Sequence, residues 1–197
     1  SPTCPEDFEV RGARMVVATV ERSDGLGGWA RSELRYHGPT INRLGRGFLG
    51  FARIDEAGPG ATDTRTEYRR SWPHAGLVSL RQVERAGRKL SREVSGWSAT
   101  YGATVRVFLS GSLRKRWEPT SGRLVRKVAT DYAYTPEGYL ESETVSNWGE
   151  VRKVEYTYAA DDEVAWLVGR EQSRTFEAGA QGYALTRLYP PRSALPH

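Results

Sequence analysis

Apolar and polar residues alternate in short runs along most of this chain, and Gly, Pro, Asp or Ser break the runs about every 8 to 12 residues. A period of two places every second side chain on one face of a strand. Met15 to Arg22 alternates, with Val16, Ala18 and Val20 on one side. "SDGLGG" then supplies turn residues that tolerate positive φ, and Trp29 to Tyr36 returns, so a β-hairpin is expected there. Phe51 to Asp55 reads as a strand end, "EAGPGATD" as a break, "TRTEYRRSW" as a strand and "WPHAG" as another break.

Residues 77–90, "LVSLRQVERAGRKL", admit two readings. Leu77, Leu80 and Val83 fit a helical stripe, whereas Ala86-Gly87 sits where a turn would fall and "KLSREVSGW" beyond it alternates. The second pattern favours two strands around a turn. Further on, "ATVRVFLSG", Leu124 to Tyr134, Leu140 to Val145, Val151 to Tyr158 and Val164 to Val168 read as strands. "EPTSG", "TPEG", "SNWG" and "AADDE" separate those from Leu124 onward. The expected fold is all-β, a succession of antiparallel hairpins. Residues 1–13 read as a loose lead-in, 14–188 as one hairpin-repeat domain and 189–197, "YPPRSALPH", as a Pro-broken tail. A weak internal repeat supports this organisation. Tyr132-x-Tyr134 precedes Gly138-x-Leu140, Tyr156-x-Tyr158 recurs, and Gly122-x-Leu124 follows Trp117. Such units bury surface by stacking on their neighbours.

Composition reinforces the strand reading. Among 197 residues there are six Trp, ten Tyr, five Phe and 21 Gly, and hydrophobic residues make up only 38%. The net charge of +5 comes from 29 Lys plus Arg against 24 Asp plus Glu, with the signs alternating as on solvated strand faces. Cys4 is the one cysteine, so no internal disulfide forms. No apolar run approaches the roughly 20 residues of a membrane-spanning helix. The chain has no starting Met and reads as a piece of something longer or a processed product.

"LGRGFLGF", residues 44–51, places Gly45, Gly47 and Gly50 in G-x-G-x-x-G register. Dinucleotide binding through that spacing needs a following helix, whose N-terminal amides meet the pyrophosphate. Phe51-Ala52-Arg53-Ile54-Asp55 and a Gly-Pro-Gly break follow instead, so the glycines are expected to bend or bulge a strand. Phe48, Leu49 and Phe51 would then pack it against neighbouring hairpins. His37, His74 and His197 have no metal-ligand spacing, and His37 and His74 read as turn residues. "LSGSL" at 109–113 lacks a nucleophile elbow, and Asp161 to Glu163 reads as a solvated turn. The densest charge cluster is Arg114, Lys115, Arg116, Arg123, Arg126 and Lys127, with Trp117 among them. It reads as a soluble edge hairpin, or as one basic patch able to grip a glycan or an anionic surface. Nucleic acid is not the expected partner.

"VERSDGLGG", "YHGPTINRLGRGFLGF", "TRTEYRRSWPHAGLV" and "VAWLVGREQSRTF", in that order, resemble the middle region of the B component of bacterial insecticidal toxin complexes (Tc toxins) and related Rhs/YD-repeat proteins. The matching positions are Gly45 to Phe51, Tyr68, Trp72 to Gly76, and Trp166 to Arg170 with Gly169 between them. The Tyr132, Tyr134 and Gly138 unit resembles a degenerate YD repeat, with Thr135-Pro136 in place of the usual Asp. The resemblance implies a curved β-hairpin sheet that forms part of a hollow, non-catalytic shell around a toxic C-terminal segment. It implies no cofactor. It also implies partners in the rest of the shell, its cargo and other toxin subunits, and a secreted or host-delivered parent.

Overall fold

The computed structural model describes residues 7–9, 15–159, 168–179 and 181–186. They are all-β and contain no α-helix, and every strand pairs antiparallel, as the alternation predicts. The chain divides into two compact units, Ser1–Lys127 and Val128–His197.

In the first unit the strands are β1 (Asp7–Glu9), β2 (Thr19–Ser23), β3 (Trp29–Asn42), β4 (Gly47–Gly58), β5 (Thr62–Tyr68), β6 (Val78–Arg85), β7 (Arg88–Tyr101) and β8 (Val105–Trp117). From β3 to β8 each pairs with the next in sequence, while β2 and β1 pair with successive parts of β3. Strand β9 (Leu124–Tyr134) leads into the second unit. There β10 (Leu140–Asn147), β11 (Glu150–Tyr158), β12 (Glu171–Ala178) and β13 (Gln181–Thr186) continue the neighbour-to-neighbour pairing.

Residues 77–90 are two strands. Ala86 and Gly87 have φ of 48° and 75°, the double left-handed geometry of a tight hairpin turn. Trp148 and Gly149 repeat it at 51° and 95°. Longer loops share another closure. The first residue of the loop donates its N–H to the carbonyl of the residue just before the next strand: Asp24 to Gly28, Arg69 to Leu77, Glu118 to Arg123, Thr135 to Tyr139 and Ala159 to Arg170, at 2.8–3.1 Å. In all five, the residue ahead of the acceptor is a glycine with positive φ (Gly27, Gly76, Gly122, Gly138 and Gly169). The recurring G-x-L is this closure, with Leu124 and Leu140 opening their strands.

Several strands run differently from the reading above. Asp7–Glu9, inside the expected lead-in, forms β1 because Asp7 Oδ1 accepts a 2.6 Å hydrogen bond from Asn42 Nδ2. Strand β2 begins at Thr19 rather than Met15: Leu34 N–H pairs with Ala18 O, and residues 15–17 carry no ladder. Strand β3 continues through His37-Gly38-Pro39, so His37 lies in a strand rather than a turn. At Gly38 (φ 60°) a Cβ would stand 2.8 Å from that of Ala52, and only glycine admits this approach. His74 does lie in a turn. Of the strand expected over Val164–Val168, Val168 is not in a strand and the rest, with Trp166, lies outside the described residues. Cys4, Asp161 to Glu163, His197 and the tail over 189–197 also lie outside them.

No hydrophobic side chain among the described residues is fully buried. The residues that are buried are polar: Asp7, Thr40, Asn42 and Thr130.

Candidate functional site

Directly opposed residues in a β ladder share a face, so the register assigns the side chains. In the second unit, Tyr132, Glu143, Val154, Phe176 and Tyr183 form one row across all five strands. Two residues along, Tyr134, Tyr156, Arg174 and Leu185 lie on that same face. Tyr158 shares it, two residues beyond Tyr156. The opposite face carries Asp131, Ser142, Thr144, Lys153, Glu155, Thr157, Ser173, Thr175 and Glu177. The unit therefore has one aromatic face and one polar face.

The aromatic face is organised by ring contacts. Phe176 and Tyr183 stack at 4.6 Å and 15°, and Tyr139 and Tyr158 lie 4.9 Å apart at 36°. The Arg174 guanidinium sits 5.1 Å from the Tyr156 ring and 5.9 Å from Phe176, and Glu171 holds it at 2.7 Å. Tyr158 Oη donates to Leu140 O at 2.8 Å. Burial pushes the Tyr134, Tyr156 and Tyr158 phenols above their ordinary value, so all three stay protonated donors at neutral pH. Tyr183 remains 68% exposed. A groove of about 350 Å³ opens beside these rings, lined by Thr135, Glu137, Tyr139, Glu141, Tyr156 and Tyr158 among others.

The first unit offers a different surface. A groove of about 680 Å³ is lined by Glu33, Arg35, His37, Arg53, Asp55 and Arg65, among other mainly charged residues. Asp55 Oδ2 lies 2.9 Å from His37 Nε2 and 3.0 Å from Arg53 Nε, close enough for ion pairing but without hydrogen-bond geometry to either nitrogen. Residues two apart on one strand pair repeatedly: Arg31 with Glu33, Arg53 with Asp55, Arg65 with Glu67, and in the second unit Lys153 with Glu155. Exposed pairs of this kind add little to stability, because water and salt screen them. The sign alternation along the sequence is this i, i+2 pairing.

The residues singled out from the sequence fall as follows. Gly45 is in the β3–β4 turn and Gly47 opens β4. Thr40 pairs with Gly50 but Ile41 with Phe48, so Leu49 is an extra residue and Gly50 (φ 99°) sits in a bulge. Phe51 meets Tyr36 at 4.8 Å and Phe48 at 5.3 Å. A strand follows the glycine string, and the helix a phosphate loop needs does not form. Gly138 and Gly169 close loops, and the Arg170 carbonyl is the acceptor in the second of these.

The basic cluster is divided rather than gathered into one patch. Arg114 opposes Glu93, with which it forms a 2.7 Å ion pair, while Lys115 opposes Arg92 and Arg116 opposes Ser91. Strand alternation therefore puts Arg114 and Arg116 on one face and Lys115 on the other, and it separates Arg126 from Lys127 on β9 in the same way. Arg123 lies in the loop before β9. Phe176, Arg174 and Tyr183 were not legible as site residues. The signal available for them was alternation around Gly179 in "RTFEAGAQGYAL".

Among the described residues no cluster of His, Cys, Asp and Glu has the arrangement of a metal site, and no helix is long and apolar enough to cross a membrane. The fold and its surfaces define a class: an all-β chain of consecutive hairpins, with an aromatic face in one unit and a charged groove in the other. No protein-family model matches the chain, and no curated protein matches it.

Proposed function

We propose that this chain is a non-catalytic wall segment of a toxin-encapsulating β-shell of the Rhs/Tc type. Its partners are the remaining segments of that shell, the enclosed cargo and other toxin-complex subunits, in a parent that is secreted or delivered into a host. One observation carries the reading. The hairpins from β3 onward follow one another in sequence without burying any described hydrophobic side chain, yet the described strand aromatics of one unit, Tyr132, Tyr134, Tyr156, Tyr158, Phe176 and Tyr183, lie on a single face. A wall meets these conditions: one surface stays wetted while the other lies against polypeptide. A self-contained globular domain would bury its apolar residues.

The test is capture of a non-native chain. A fluorescent, reduced and alkylated polypeptide that cannot fold is titrated with the protein, and anisotropy is followed. Saturable binding that disappears in Tyr156→Ser/Phe176→Ser, with the fold retained by circular dichroism, supports the wall. No binding to the unfolded probe, or binding indifferent to both substitutions, overturns it.

A further inference from the structure

In the first unit three connections lie at one end of the sheet: residues 43–46 between β3 and β4, 69–77 between β5 and β6, and 102–104 between β7 and β8. Each carries or adjoins a large apolar side chain that stands in water. Leu44 is 60% exposed, Trp72 48%, and Tyr101, which ends β7, 71%. Two of these side chains are held out by their own loops. The Leu44 N–H donates to Asn42 Oδ1 at 2.9 Å, and the buried Asn42 is tied in turn to Asp7. The 69–77 loop closes on itself through Arg69 N–H to Leu77 O, Gly76 N–H to Arg69 O and His74 N–H to Ser71 O, at 2.8–3.0 Å.

The same connections hold four arginines, Arg43, Arg46, Arg69 and Arg70, and no Asp or Glu. None of the four forms an ion pair among the described residues. Arg43 instead lies 4.4 Å from the Phe8 ring and Arg46 4.8 Å from the Trp72 ring. A guanidinium stacked on a ring is held flat and keeps its N–H edge for oxygen acceptors. The connections at the opposite end, 24–28, 59–61 and 86–87, contain one charged residue, Asp24, and no cation. Leu26 is exposed there too, but no arginine shares its loop. Apolar tips and free cations together match a bilayer surface. Trp, Tyr and Leu gain by leaving water for the headgroup–acyl boundary, and Arg pairs with lipid phosphate. A soluble polyanion would use the arginines and leave Leu44 and Tyr101 in water. An apolar protein face would cover the tips and leave four guanidiniums without counter-charge.

We propose that this end of the first unit docks on an anionic phospholipid bilayer, with Leu44, Trp72 and Tyr101 entering the headgroup layer and the four arginines holding lipid phosphates. The docking is peripheral, goes beyond the wall reading and does not depend on it. The test is flotation of the full chain with vesicles of phosphatidylcholine and phosphatidylserine, three to one, at about 0.1 M salt. These vesicles should capture the protein, and vesicles of phosphatidylcholine alone should capture little. Each arginine at an anionic surface strengthens binding about five-fold, so Arg69→Gln/Arg70→Gln should weaken it about 25-fold. Leu44→Ser/Tyr101→Ser keeps every cation and should weaken it about ten-fold. Both pairs should keep the native circular dichroism. In the unaltered tips, lipid brominated high on its acyl chain should quench tryptophan emission, and Trp72→Phe should remove most of that quenching. No capture by the anionic vesicles, or equal capture by neutral ones, overturns the proposal. Capture that survives the arginine pair, or quenching that survives Trp72→Phe, also overturns it. So does a tip pair that binds like the native protein, because the partner is then recognised by charge alone.

Discussion

Gly169→Ala isolates what a single missing side chain does for the aromatic face. Gly169 has φ of 62°, and a Cβ placed there stands 2.8 Å from one Tyr139 ring carbon and 3.3–3.4 Å from two others. Two costs follow. The left-handed backbone costs an L-residue about 1–2 kcal/mol. The Tyr139 ring must also leave its seat against Tyr158, forfeiting a contact of about 0.5–1.5 kcal/mol. Together they amount to about 1.5–3.5 kcal/mol. Gly179→Ala is the matched control, since φ there is 60° and nothing lies within 4 Å of the new Cβ. It should cost only the backbone part, about 1–2 kcal/mol. Urea unfolding followed by circular dichroism gives both values, and Tyr139→Ala completes a double-mutant cycle with Gly169→Ala. In the Tyr139→Ala background the glycine substitution should become as mild as Gly179→Ala. Equal costs for the two glycine substitutions in the native background would refute the ring seat.

Three other outcomes are expected. Hydrogen bonds to Glu118 from the Ser121 hydroxyl, the Ser121 N–H and the Thr120 N–H lower its carboxyl from an ordinary 4.5 to about 2, so its contribution to stability is complete above pH 4.5 and fades as pH falls toward 2; Glu118→Gln should weaken the protein at pH 7 and leave it unchanged at pH 2, as urea midpoints across that range will report. Trp148 holds φ of 51° at a hairpin tip with 61% of its surface exposed, so Trp148→Asn should stabilise by about 0.5–1 kcal/mol, and a lower thermal midpoint would mean that the indole carries packing. Because alternation divides the basic cluster between two faces, heparin should release the protein by about 0.15 M salt; retention beyond about 0.3 M that is lost in Arg114→Glu/Arg116→Glu would contradict the division.

The period-two pattern made most strands legible because one residue per face is a local rule. Ala86-Gly87 could be assigned to a turn because the alternation resumes after it in the right phase. Bulges defeated the same rule. At Ser110 an extra residue separates the Gly96–Gly111 pair from the Trp97–Leu109 pair and shifts the phase, so the alternation breaks at Gly111 although β8 runs on to Trp117. Strand β1 was invisible because a three-residue strand has no period to detect, and its anchor, Asn42, is 35 residues away. The Tyr-x-Tyr units were visible as a repeat. Their convergence with Phe176 and Tyr183 was not, because register across five strands is set by pairings no single strand records. The basic cluster misled for the converse reason: closeness in sequence brings consecutive strand residues to opposite faces.

The loop closure shared by five of the connections also bears on how such a chain can change over time. Each loop is fastened at its two ends by this backbone hydrogen bond, joined in three of them by a second from the glycine N–H back to the first residue's carbonyl, and a glycine ahead of the acceptor is common to all five. The fastened segment is short from Thr135 to Tyr139 and much longer from Ala159 to Arg170. In polymer terms, lengthening the first to the second costs only about 0.8 kcal/mol of closure entropy. The clasp therefore separates what happens inside a loop from the register of the strands that flank it. Insertions can accumulate between donor and glycine and be inherited or discarded while the hairpins stay in step. Variation among descendants of such a sequence should concentrate ahead of the clasp glycines and stop at them.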